Sequence, residues 1–76
     1  MPSVERDKIA AEVRAELARQ QKTQRDAAEI LGLPQQSVQL RLAGKRSFRA
    51  EELATLAEAL GVPVTRFIPA NAAVTA

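Results

Sequence analysis

Apolar residues along the chain form short helical stripes separated by sharp stops. Ile9, Val13 and Leu17 recur at four-residue spacing, flanked by Ala10 and Ala18, which predicts a first helix over about 4–20. Ser3 suits its N-cap, and Glu5 and Asp7 stand in the first turn, where the helix dipole favours carboxylates. Thr23 starts the next unit as N-cap, with Asp26 three residues on approximating a capping box. Ala27, Ala28, Ile30 and Leu31 supply its buried face, and Gly32 stops it in the left-handed position past the helix end.

Two junctions share one design. Leu31-Gly32-Leu33-Pro34 and Leu60-Gly61-Val62-Pro63 each place a Gly stop, an apolar residue and then a Pro that permits a new helix to begin. A third helix is expected over about 34–43, ending at Gly44. Val38, Leu40 and Leu42 alternate with Gln39 and Arg41, which is strand periodicity. The Pro start, the Gly stop and the lack of a second strand to pair with favour the helix. Lys45-Arg46-Ser47-Phe48 forms a basic turn, with Phe48 expected to plug the core rather than touch a ligand. A fourth helix over about 50–60 carries the stripe Leu53, Leu56, Ala57 and Leu60, and a last short helix near 64–68 places Phe67 and Ile68 on the core. Residues 1–68 read as one all-α domain, and the small, uncharged stretch 69–76 as a frayed tail.

Composition narrows what this bundle can do. With 76 residues there is room for one domain, burying only about 60% of its unfolded surface. The chain has no Cys and no His, so thiolate metal sites, disulfides and the commonest general base are missing. It also lacks Tyr and any Gly-rich phosphate loop, and Asp26 and Glu29 form no convincing catalytic pair. No enzyme, cofactor, metal or small-molecule substrate is expected. No apolar run approaches membrane-spanning length, so a cytoplasmic protein without membrane contact is expected. The net charge is +2, but its distribution is uneven. Arg41, Lys45, Arg46 and Arg49 lie between residues 39 and 49 with no acid among them, whereas Glu5, Glu12 and Glu16 mix with Arg6, Lys8, Arg14 and Arg19 as on a solvated helix face.

The second helix, its four-residue corner and the third helix have helix-turn-helix geometry. Such a corner also occurs as plain scaffolding in helical bundles, so the side chains matter more. At about 100° per residue, Val38 and Leu42 face inward, Gln36, Leu40 and Ala43 face outward, Gln39 lies at the shoulder and Gln35 at the open first turn. The outward face is amides plus one leucine, without an acid. Amides offer paired donor and acceptor suited to adenine N6 and N7, and an apolar tip suits a thymine methyl. Leu40 would instead pack inward if the helix were rotated or the segment extended.

Thr23-Gln24, Ala28, Leu31-Gly32, Pro34-Gln35-Gln36-Ser37-Val38, Gly44-Lys45-Arg46 and Leu53…Ala57…Leu60-Gly61-Val62 together resemble the Cro/repressor (XRE-type) helix-turn-helix family of phages and bacteria, over about residues 13–68. The resemblance implies a compact five-helix bundle of lambda-repressor-like type, no catalysis, and a homodimer on a near-palindromic double-stranded DNA site, associated with the nucleoid when bound. By position, Gln35, Gln36 and Ser37 match base-contacting residues, to which the outward face adds Gln39 and Leu40. Gln24, with Thr23 beside it, and Lys45 and Arg46 match positions near phosphates, and Arg41 and Arg49 are expected to be drafted there too. Departures from the pattern are Gln21 and Lys22 in place of Gly and an aliphatic residue, Ala27 for Leu, Arg41 for a large apolar residue, and Arg49 where an N-cap belongs. A competing reading is a protein-interaction module, such as an antitoxin or anti-repressor component, using the alanine-rich first helix and residues 70–76.

Overall fold

The helix boundaries follow from capping chemistry. The computed structural model describes residues 4–69, which form α1 (Val4–Arg19), α2 (Gln24–Leu31), α3 (Gln35–Leu42), α4 (Ala50–Leu60) and a 3₁₀ turn at Val64–Phe67, with no strand among them. Ser3 and the tail from Ala70 onward lie outside the described residues. At the start of α2 the capping box is complete. Thr23 Oγ1 accepts from the Asp26 backbone N–H at 3.1 Å, and Asp26 Oδ2 accepts from the Thr23 N–H at 2.8 Å. These bonds hold the Asp26 carboxyl below its ordinary value.

All four α-helices of the described residues end with the same kind of hydrogen bond, running from the second or third residue past the helix back to its last turn. Lys22 donates to Leu17 O, Leu33 to Ala28 O, Lys45 to Leu40 O and Val62 to Ala57 O, at 2.8–3.1 Å. Each such ending needs a left-handed residue just before the donor. Glycine fills it three times; after α1 the residue is Gln21, with φ +58°. The first corner therefore keeps the glycine-type backbone in spite of its side chain, at a steric cost of about 1 kcal/mol.

The alternation of Val38, Leu40 and Leu42 resolves as helix, with Val38 and Leu42 fully turned to the core and Leu40 half-buried. The fifth helix expected from the family resemblance is a single 3₁₀ turn, giving four α-helices among the described residues. Pro69 explains this, since it disfavours helical dihedrals at the residue before it; Ile68 is extended at φ −100°, ψ 119°. Phe67 is nonetheless completely buried, and Ile68 packs against the core as expected.

The core is built from Val13, Val38, Leu56 and Phe67, with the leucines of α4 and the two alanines of α2 around them. α2 packs on α3 and α4, while α1 crosses to α3 and to the 3₁₀ turn. Glu16 corrects the expectation of a solvated α1 face, being only 3% exposed. Its Oε1 accepts from Arg19 Nη2 at 2.8 Å and Arg66 Nη1 at 3.0 Å, and its Oε2 from Gln20 Nε2 at 2.8 Å. Gln20 Nε2 also donates to Leu60 O at 2.9 Å. One buried carboxylate thus ties α1 to the end of α4 and to the 3₁₀ turn. The Gln20 amide and then the Arg19 guanidinium lower its pKa, because both stabilise the charged form.

Candidate nucleic-acid interface

The α2–corner–α3 unit positions the candidate residues. Ala27 and Ala28 bury the inner side of α2, and Leu33 in the corner packs partly onto the core. The chain then enters α3 through Pro34, whose extended dihedrals (φ −60°, ψ 146°) fit the residue before a helix. Pro34 supplies no side-chain cap, so no side chain of the N-cap residue occupies the first-turn N–H groups of α3.

On α3, Gln35, Gln36 and Gln39 are exposed, and Ser37 and Leu40 are half-buried. The helix carries no acidic residue. Leu40 is therefore neither a core residue nor fully outward; it sits at the margin, beside Gln36 and Gln39. Thr23 and Gln24 are exposed at the start of α2. Lys22 and Arg25, also exposed, flank them and add positive charge that the sequence reading did not single out.

Arg41 departs from expectation. It is buried, and its guanidinium is committed to Glu52 and to the carbonyl of Ser37, so a role in holding phosphate does not fit its placement. The clue lay in helical spacing: Arg41 is three residues from Val38 and next to Leu42, which puts it at the edge of the inward face. Its partner lies eleven residues away on another helix, and no local pattern points to it. Arg14, expected on a solvated face, is a second departure. It is exposed, but its Nη1 donates to Leu42 O, so α1 supplies a cap for the last turn of α3.

The basic turn after α3 is open to solvent at Lys45, Arg46 and Ser47, while Phe48 packs against the core as the expected plug. Arg49 occupies the N-cap position of α4. It has no side-chain acceptor to offer, but its backbone N–H donates to Glu52 Oε1 at 2.9 Å. Its guanidinium is mostly exposed and 3.6 Å from the equally exposed Glu51 carboxylate. A pair of that kind is worth about 0–1 kcal/mol, so an approaching anion competes with it readily. Among the described residues, no group of three or more potential ligands is placed to hold a metal. No helix there is long and apolar enough to cross a membrane.

Comparison with known proteins points the same way. No curated protein matches the sequence significantly. Among solved structures, the chain is similar to the DNA-binding domain of BldD, with 27% identity, a TM-score of 0.76, and coverage of 91% of this chain and 100% of that one. It is also similar to the clp gene regulator ClgR from C. glutamicum, with 24% identity, a TM-score of 0.78, and coverage of 87% of this chain and 86% of that one. The family model described as helix-turn-helix matches residues 13–67. That span contains α2, the corner and α3 with the packing that supports them, and the chain belongs to the XRE-type helix-turn-helix family.

Proposed function

We propose that this protein is a non-enzymatic, sequence-specific double-stranded DNA-binding transcription regulator of Cro/repressor type, with residues 1–68 as its binding unit. The observation that carries this reading is the acid-free α3, with Gln35, Gln36 and Gln39 exposed, next to the exposed Lys45–Arg46 turn. A DNA-binding domain and a gene regulator among its structural neighbours support it. In this reading α3 lies in the major groove, and Gln35, Gln36, Ser37, Gln39 and Leu40 meet base edges. Thr23 and Gln24 at the α2 N-terminus, with Lys45, Arg46 and Arg49, hold phosphates and fix the register. Arg41 is left out of that set because its charge is already paired. A single α3 touches only a few base pairs, so a homodimer on a near-palindromic site supplies useful affinity. Its place of work is then the cytoplasm, at the nucleoid.

In-vitro selection of bound duplexes from a random pool, at two salt concentrations, tests the reading. The expected result is an enriched motif with inverted symmetry, bound more tightly than scrambled duplex and weakened by salt. An unenriched pool with no retention of DNA at low salt would refute it.

A further inference from the structure

Arg41 and Glu52 join α3 to α4 through a contact with one geometry. Arg41 Nε donates to Glu52 Oε1 at 3.0 Å and Nη2 donates to Oε2 at 3.3 Å, so guanidinium and carboxylate meet fork to fork. The remaining nitrogen, Nη1, donates to Ser37 O at 3.1 Å, one turn back along α3. Glu52 Oε1 also receives the N–H of Arg49 at the start of α4. Both side chains are nearly buried, at 11% and 12% exposure. The Arg41–Glu52 pair therefore links the last turn of α3, the Ser37 carbonyl in its first turn, and the N-cap backbone of α4.

Burying two charges costs desolvation that their attraction only about repays, so an ion pair here adds little stability over an apolar contact. What it adds is orientation. Leucines packed between helices tolerate small rotations, whereas a planar bidentate pair does not. A rotation of α3 by about 10° moves a side-chain tip about 6 Å from the helix axis by about 1 Å. That is enough to break a hydrogen bond to a base edge.

We propose that Arg41 and Glu52 are positioning residues for base discrimination: α3 packs on α1 and α2, and this pair is its fixed tie to α4, setting its rotation and so the register of Gln35 and Gln36 against bases. The proposal rests on the DNA-reading role given above, and the pair itself touches no DNA. It has an electrostatic signature. Glu52→Gln removes an acid near a basic turn, so charge alone would tighten binding to every duplex. Positioning predicts instead that preference for the matched duplex falls.

The test uses the full chain, a duplex enriched by the wild type in selection, and a scrambled duplex of the same composition. Affinities are measured at two salt concentrations, with thermal melts of each free variant. The double variant Arg41→Leu/Glu52→Leu removes equal and opposite charges and keeps the site apolar, so it retains the fold. Its matched-to-scrambled ratio should drop about tenfold, or about 1.4 kcal/mol, with scrambled affinity and salt slope within about twofold of wild type. Arg41→Lys keeps the charge but loses the fork, and should fail to restore the ratio. Glu52→Gln should lower the ratio while scrambled affinity holds or rises. A double variant that melts as a folded protein and keeps its ratio within twofold overturns the proposal and leaves the pair a structural tie. A wild type with no preference for any duplex overturns the DNA-reading role itself, and that result is visible before any variant is made.

Discussion

At the scale of single residues, glutamines and cations on this surface should have separable effects. In the proposed reading Gln36 offers an amide to a base edge, so Gln36→Ala should lose about 1–3 kcal/mol against one base step and relax preference there. Lys45 offers a point charge, so Lys45→Ala should weaken all duplexes alike and reduce the salt slope by about one. Affinity titrations over a panel of single-base variants distinguish the two patterns. Gly44 allows a second contrast. All three glycines have φ near +70°, but only at Gly44 would an added Cβ meet another side chain, 2.5 Å from Asp7 Oδ1. Gly44→Ala should cost the left-handed backbone, about 1–2 kcal/mol as at Gly61→Ala, plus only the displacement of the exposed Asp7 side chain. Denaturant melts of the two variants measure the difference. The glutamines and the basic turn were legible in the sequence because exposure at a given helical phase is a local property. Arg41 and Glu16 were not, since each takes its meaning from a partner distant in the chain, Glu52 for one and Arg66 for the other.

At the scale of elements, stops and caps were the most readable features. Thr23 with Asp26, and the Gly-apolar-Pro corners, specify their backbone within a few residues, and the structure follows them closely. The last segment was less readable, because periodicity alone does not distinguish one turn of 3₁₀ from a short α-helix when Pro69 cuts it off. That turn is held to α1 through Glu16, which yields a pH dependence. The Glu16 pKa is lowered in the folded protein, so the folded state binds fewer protons than the unfolded chain through that range. Its contribution to stability is fully present above the ordinary carboxyl value and is lost as pH falls through the lowered folded value. Glu16→Gln should be less stable near neutrality and show a flatter loss of stability in acid, measured by melts between about pH 2 and 7.

At the scale of the whole molecule, size and shape bear on assembly. The described residues span 32 × 25 × 20 Å. On the proposed dimeric reading, two copies of this size would fit on successive major-groove faces, about 34 Å apart along the duplex. If the protein acts as a dimer, selected sites should have half-site centres about 10–10.5 base pairs apart, and inserting five base pairs between them should abolish cooperative binding. Gel-shift titration of spaced sites reads this directly, and single-step binding indifferent to spacing would count against the dimer.

The corner after α1 carries one more consequence. Gln21 holds a backbone that glycine would hold more easily, so Gln21→Gly should add about 1 kcal/mol of stability without altering α3 or the basic turn. The chain thus has an untapped reserve close to the size of the loss that a typical single substitution causes. A variant carrying that glycine should tolerate destabilising changes on α3 better than the present sequence does. If α3 reads bases as proposed, the first corner, on a different part of the fold, would then govern how far that specificity is able to drift.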